Sequence, residues 1–279
     1  MKLTNFKSLL VAMIIILVPF FCSAENFLLS KPQSETTTFT LRYLYPSIKY
    51  DKLEALSGVY DLSVSVPISK KLNLVAGIPY ITAGISDEVS ESGLGNLFAG
   101  IQYRLTKTQN NSTTLTAGVF VPTISSEKAF SVFAMGYFSD LCSFEKYLYN
   151  TTSFYAMLAH NGITKDGFMY GLELGATYSI ASDNDYFYEM ESELYINYGV
   201  KAGYRANVID IQAELMGKML ITESDLDLGE RTLHIVAFGV QWNKGVIRPG
   251  VFYALHLKEY IREEVSGVFG VKIDFVLKK

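Results

Sequence analysis

Lys71-Leu-Asn-Leu-Val-Ala-Gly-Ile-Pro-Tyr80 and, after a polar connection, Leu97-Phe-Ala-Gly-Ile-Gln-Tyr-Arg-Leu105 decide the fold class. Side chains of a β-strand point alternately to opposite faces. In the first run Leu72, Leu74, Ala76, Ile78 and Tyr80 share one face, and Lys71, Asn73, Gly77 and Pro79 the other. In the second, Leu97, Ala99, Ile101, Tyr103 and Leu105 oppose Asn96, Gly100, Gln102 and Arg104. The connection from Gly84 to Gly93 is polar and acidic. The pair is a hairpin with one apolar and one polar face, a pattern shared by the wall of a transmembrane barrel and by a soluble sandwich.

Period-2 runs of about ten residues recur along the chain. They are Thr36 to Tyr45, Ser57 to Ile68, Lys71 to Ile81, Gly93 to Thr106, Ser112 to Thr123, Thr151 to Asn161, Gly167 to Ile180, Ser192 to Arg205, Asn207 to Ile221, Arg231 to Asn243, Val246 to Leu257 and Val265 to Leu277. Connections decide between the two architectures. Ser69-Lys70, Ala206-Asn207 and Lys244-Gly245 are tight, whereas Pro46 to Leu56, Gly84 to Ser92, Ala181 to Glu191, Thr222 to Glu230 and Lys258 to Glu264 are long. Short and long joints alternate, as in a barrel with periplasmic turns and external loops. The expected fold is therefore all-β: a transmembrane antiparallel barrel of the outer-membrane type with about twelve strands, an even number.

Ile124 to Asn150 interrupts this ladder. Counted as a hairpin it gives fourteen strands; counted as a long outer loop it leaves twelve and folds over or into the pore mouth. The loop is preferred, with Phe130, Phe133, Met135, Tyr137 and Phe138 as a constriction of that mouth. Apolar side chains in such a loop pack on the wall in preference to facing water.

Lys2 and Lys7 precede an apolar run from Leu9 to Phe21, and Cys22-Ser-Ala24 offers small residues for cleavage before Glu25. Residues 1–24 are expected to be a secretory signal peptide, with the barrel occupying 25–279. A lipoprotein signal at Cys22 is disfavoured by the bulky Phe20 and Phe21. Removing the signal takes two lysines and no acid, moving the formal charge from −4 to −6. Nothing basic invites nucleic acid. Cys142 is then the only thiol, so no intrachain disulfide forms. The 19 Tyr and 18 Phe suit amphipathic belts at two membrane interfaces. Tyr43, Tyr45, Tyr80, Tyr178 and Phe269 are assigned to the outer rim, and Tyr103, Tyr170, Tyr204, Trp242 and Phe275 to the inner.

Gly77-x-Pro-Tyr80, then a polar loop and Ser92-Gly-Leu-Gly-Asn96 leading to Tyr103, resembles the outer-membrane transporter family associated with phenol meta-pathway degradation. Asn96 stands where that family typically carries Asp. Val121-Pro122-Thr123 is similar to a Leu-Pro-Thr-Gly step without its Gly, and Ala213-Glu214-Leu-Met-Gly217 resembles a glutamate-containing strand of the family. The resemblance implies passage of small, poorly water-soluble or aromatic compounds through the outer membrane.

The polar face then lines a narrow lumen. Its candidate lining is Arg42, Asp61, Arg104, Glu173, Lys201, Arg205, Asp210, Glu214, Lys218, Arg248, Lys272 and Asp274. Charges of both signs give no strong ion selectivity and permit internal ion pairs, so a solute path and a salt-bridged interior both remain open. His160, His234 and His256 have no Ser two residues on, so no barrel-hydrolase arrangement is read and no catalytic residue is assigned. Paired-Cys and His-Glu-x-x-His spacings are absent, and Gly93-x-Gly95 opens a strand, so no metal or other cofactor is expected. The implied partners are outer-membrane lipid and a small-molecule solute. A structural or adhesive surface barrel, working through Asp87 to Glu91 and Asp183 to Glu191, is the second function class, and a barrel lipid hydrolase the third.

Overall fold

The computed structural model describes residues 26–277 apart from 50–52, 54, 55, 85–90, 183–191 and 224. The signal-peptide reading and most of the two acidic loop stretches lie outside the described residues. Thirteen strand segments form one antiparallel sheet: β1 (Thr38–Ile48), β2 (Gly58–Pro67), β3 (Leu72–Ala83), β4 (Glu91–Leu94), β5 (Leu97–Lys107), β6 (Asn111–Val121), β7 (Thr151–Ile163), β8 (Phe168–Ala181), β9 (Glu193–Ala206), β10 (Ile209–Leu220), β11 (Thr232–Trp242), β12 (Ile247–His256) and β13 (Val265–Val276). β1 pairs with both β2 and β13, which closes the ring. β4 and β5 both pair with β3, at Tyr80 to Ala83 and at Leu72 to Gly77 respectively. They are two halves of one wall strand, so the barrel has twelve. Closure removes sheet edges, the condition for a strand wall to sit in hydrocarbon. Among the described residues no helix is long and apolar enough to cross a membrane.

The alternation seen in the sequence maps onto inside and outside. Leu74, Ile101, Leu158, Leu172, Ile211 and Phe238 are exposed on the outer surface, while their sequence neighbours Asn73, Gln102, Met157, Gln212 and Ala237 are buried. Tyr43, Tyr60 and Tyr80 lie in register across β1, β2 and β3, with ring centroids 4.7 and 6.4 Å apart, and form part of the aromatic rim at one end. Tyr103, Tyr204, Trp242 and Phe275 are exposed toward the other end.

Residues 68–71, 108–110, 164–167, 207–208 and 243–246 make the turns of one end. Asn207 (φ 55°) and Gly245 (φ 88°) occupy the left-handed region there, which Asn and Gly tolerate best. The opposite end carries the long connections. In the longest of these, helix α1 (Ala129–Ser139) is followed by a 3-10 turn, Leu141–Lys146. The fourteen-strand alternative therefore does not hold. Ala129, Val132, Met135, Gly136 and Ser139 are the buried residues of α1, a spacing of three and four that gives a helical stripe and no strand face. Gly136 is required by packing, because a Cβ there would lie 2.2 Å from the ring of the fully buried Tyr147.

Candidate functional site: a lumen with two inserts

The barrel interior holds two pieces of chain. The first is residues 26–36, which enter the lumen ahead of β1. The amides of Phe27 and Leu28 donate to the Glu214 carboxylate at 2.9 and 2.7 Å, Leu29 to the same group at 3.1 Å, and Ser30 to Glu173 at 2.9 Å. Lys272 Nζ donates to the Asn26 carbonyl at 2.8 Å, and Lys201 Nζ to the Asn26 side-chain oxygen. The register places Lys201 opposite Glu214 and Gly199 opposite Glu173, so three adjacent wall strands supply one belt of charge. An extended segment away from a sheet must pair its backbone with something, and these side chains do it.

Further toward the short-turn end, Gln33 Nε2 donates to Asn73 Oδ1 at 2.8 Å, Asn73 Nδ2 to the Ser34 carbonyl at 2.9 Å, and Gln102 Nε2 to the Lys31 carbonyl at 2.7 Å. Arg104 donates to the Gln33 carbonyl at 3.1 Å and to Glu35 at 2.9 Å, and Lys107 also reaches Glu35. Two wall glycines receive the apolar side chains of the segment. A Cβ on Gly239 would lie 2.4 Å from the Phe27 ring, and one on Gly199 would lie 2.4 Å from Leu29. Phe27 also stacks on Phe252 with centroids 4.9 Å apart. Both side chains are buried, which is worth roughly 2 kcal/mol each.

The hydrogen bond from Lys107 holds Glu35 below the usual carboxylate range, with Arg104 adding to it and burial opposing. A depressed folded-state pKa stabilises the seated segment above the ordinary value, and that contribution is lost as pH falls through the folded value. Glu35→Gln is therefore expected to loosen the segment at neutral pH and to raise solute flux through reconstituted barrels. The difference from the parent should shrink in acid, as the parent's own Glu35 protonates. A flux difference independent of pH would remove the clip from the explanation.

The second insert is the 122–150 connection. Its anchor is the break between β4 and β5. Asn96, fully buried, donates from Nδ2 to the carbonyls of Glu145 (2.9 Å) and Leu148 (2.7 Å), and its Oδ1 accepts from Thr123 N at 3.2 Å. The Asn96 amide itself donates to the Lys146 carbonyl at 2.7 Å. Only a glycine fits at 95, since a Cβ would lie 2.6 Å from both the Lys146 carbonyl oxygen and Pro79. The Gly95-Asn96 step thus interrupts the wall strand so that its backbone and side chain can hold the loop inward. Asn96→Leu should leave three backbone groups without this partner, at about 1–3 kcal/mol for each that stays buried. The expected result is a barrel that keeps its strand content by circular dichroism but loses protease resistance within 122–150. Unchanged resistance would show that the loop does not depend on this anchor.

Arg42 links the two inserts. Its guanidinium donates to the Phe27 carbonyl at 3.1 Å, to Asp61 at 2.9 Å and to Asp140 of the loop; Lys146 Nζ reaches the same two carboxylates at 2.9 and 3.1 Å. Burial pushes the Asp140 carboxyl up, but Arg42 and Lys146 outweigh it and hold it below the ordinary range. Deeper in the loop, Glu145 pairs with Lys218, whose ammonium lies 4.4 Å from the centre of the Phe144 ring. Burial pushes the Cys142 thiol up to about 12.

All twelve candidate lining residues are buried or half-buried in the barrel, and they sort by what they hold. Arg104, Glu173, Lys201, Glu214 and Lys272 hold the N-terminal segment. Arg42, Asp61 and Lys218 hold the loop, Arg42 touching both. Arg205 and Asp210 form a bidentate pair at 2.7 and 2.6 Å near a short turn, with Asn243 on the same carboxylate at 2.6 Å. Asp274 accepts from Gln241 at 2.7 Å and pairs with Lys272 at 3.0 Å, and Arg248 donates to the Gly245 carbonyl at 3.3 Å. Of the five aromatic and Met positions of the loop, Phe133, Tyr137 and Phe138 make successive ring contacts at 5.4 and 6.0 Å. Met135 is buried, Phe133 and Tyr137 lie beside Phe144 and Tyr195, Phe138 is half-buried, and Phe130 is 66% exposed at the rim.

Deeper obstruction comes from Asp140 to Leu148, within the loop expected to fold into the mouth but beyond its five named positions, and from residues 26–36, which sequence reasoning did not single out. The available signal was the count of inward charges, which a narrow dry lumen must neutralise from somewhere. The histidines are spread apart: His160 meets Thr113 at 2.9 Å, His234 meets Tyr198 at 2.6 Å and His256 meets the Phe138 carbonyl at 3.0 Å.

No protein-family model matches this chain, and no curated protein matches it in sequence. Solved structures similar to it include an outer membrane channel from Pseudomonas putida F1, with TM-score 0.60 and 12% identity over 87% of this chain and 95% of that one. The NanC porin follows at TM-score 0.51 and 10% identity, covering 86% and 100%, and the KdgM porin at 0.50 and 8%, covering 86% and 99%. At such identities the likeness is one of fold.

Proposed function

We propose that the protein is an outer-membrane channel for small solutes, exported by a cleaved signal peptide and held shut by residues 26–36 until they leave the lumen. The observation that carries this is the mode of attachment of that segment. It is fixed to the wall by hydrogen bonds and two side-chain dimples, and by no strand pairing, so it can be withdrawn while every strand keeps its neighbours. A barrel that only needed filling would gain more from apolar side chains of its own, because buried ion pairs are weak contributors to stability. The fold likeness to an outer membrane channel and to two porins supports the reading, and the motif resemblance to the phenol meta-pathway transporters favours poorly soluble or aromatic cargo.

The test is flux of small uncharged solutes into lipid vesicles carrying the purified protein. Flux above that of protein-free vesicles is expected. A folded, heat-modifiable barrel that stays silent even without residues 26–36 would favour a structural or adhesive role, and release of fatty acid or sugar from the lipid would favour a hydrolase.

A further inference from the structure

Between the N-terminal segment, the barrel wall and Cys142, Ser143, Glu145 and Lys146 of the loop lies a cavity of about 250 Å³, its wall side contributed by β1 to β3, β5 to β10 and β13. Polar residues ring it, but most of the surface it presents is apolar, contributed by residues that include Val75, Phe98, Phe120, Tyr155, Met157 and, from the segment, Leu29. Phe98, Phe120 and Tyr155 form one cluster: Phe98 and Phe120 lie 4.8 Å apart, and Tyr155 meets both edge-on at 6.0 and 6.3 Å. The wall is shaped for it. A Cβ on Gly118 would lie 2.6 Å from the Phe98 ring and one on Gly100 3.0 Å, so these two glycines let that ring lie flat on the sheet. Tyr155 turns its hydroxyl to Ser30 of the segment at 3.2 Å, leaving its ring to the cluster. The charged groups around the cavity already have partners: Asp61 with Arg42 and Lys146, Glu145 with Lys218, Lys272 with Asp274 and the Asn26 carbonyl, Glu173 with the Ser30 amide, and Lys31 with the Ser63 hydroxyl. A charged guest would have to displace one of these partners and be desolvated, a cost that a neutral guest avoids.

We propose that this cavity is a binding site for one neutral aromatic molecule of one or two rings, held against Phe98, Phe120 and Tyr155 and closed on one side by Leu29 and Ser30. The size fits: an apolar cavity of about 150 Å³ accommodates benzene, so this one has room for a fused pair of rings. Edge-to-face and offset packing on the three rings is the recognition available. The purpose of the site, a resting place for cargo beside the segment that blocks its path, rests on the channel reading; its existence does not. Because the segment supplies part of the site, withdrawal of the segment opens the path and dismantles the site in one movement.

Fluoroindole and its carboxylate, titrated into the full-length barrel in detergent and followed by fluorine NMR, test this. Micelle partitioning rises linearly with ligand, whereas a site saturates. Saturation at one fluoroindole per barrel is expected, with the carboxylate at least about tenfold weaker. Val75→Trp, which fills the cavity from β3, should abolish saturation in a barrel that remains heat-modifiable. If that variant does not fold, Phe98→Leu, which keeps volume and removes a ring, should weaken fluoroindole about fivefold. Deletion of residues 26–35 should abolish saturable binding while raising flux. Absence of saturation in the parent, equal affinity for the carboxylate, or a Phe98→Leu variant that binds as the parent does would overturn the site. Saturable binding in the parent, with no flux even after residues 26–35 are deleted, would keep the site and overturn the channel.

Discussion

Removing residues 26–35 is expected to leave a folded barrel whose solute flux exceeds that of the intact protein by at least about tenfold. The wall strands pair only with one another, and the ring closes through β1 and β13 without help from the segment. What the deletion exposes is polar. Glu173, Glu214 and Lys272 lose backbone groups of residues 26–30, and Lys201 loses the Asn26 side-chain oxygen, but all four can take water in their place once the lumen is wet. The cost is the lost burial of Phe27 and Leu29, roughly 2 kcal/mol each, together with hydrogen bonds to charged groups at about 1.5–3 kcal/mol apiece. Unfolding should therefore come at a lower temperature even as conductance rises. Gly239→Leu makes the same point without shortening the chain, because it occupies the place of the Phe27 ring. Folded variants that conduct no better than the parent would mean that the 122–150 loop alone seals the barrel.

Arg42→Met is expected to have the second largest effect. It removes a side chain that binds the N-terminal segment, the wall and the loop at once. Asp61 and Asp140 would keep Lys146 as a paired cation but lose the guanidinium, and breaking a buried ion pair from one side costs about 3–5 kcal/mol. Both inserts should loosen together, seen as a lower midpoint of heat-modifiability and as protease cleavage within 122–150 and near residue 30. Arg42→Lys should not restore them, because a single ammonium cannot reproduce the fork that reaches three acceptors. If Arg42→Lys matches the parent, the link is simple charge balance.

The wall was legible in the sequence because its signal is periodic. Leu72 to Tyr80 and Leu97 to Leu105 alternate but for the inward Val75 and Phe98, and the structure pairs them through β3 and β5. The tight joints at Ser69-Lys70, Ala206-Asn207 and Lys244-Gly245 all became turns of one end. The inward charges were legible for the same reason. Their partners were not. Residues 26–36 carry no period, since an extended segment tied to side chains leaves no mark of the kind a ladder leaves. Glu145 and Lys146 sit in a loop, where charge is unremarkable until Lys218 and Asp61 are found beside them. Ser92-Gly-Leu-Gly-Asn96 was visible as a motif, but its purpose, a break in the wall that grips a loop, depends on carbonyls about fifty residues away.

Gln33 and Asn73, whose side chains meet at 2.8 Å, provide the most direct check that the segment is a gate. With both changed to cysteine, a short, reducible reagent that bridges two thiols can tie the segment to β3, while the buried Cys142, its thiol pushed up to about 12, stays silent. Solute flux through the same reconstituted barrels is then measured before and after reduction. Low flux while tied and a rise to the parent level on reduction is the result expected of a gate. Equal flux in the tied and reduced states would contradict it, because solute would then be passing a barrel whose segment had never left.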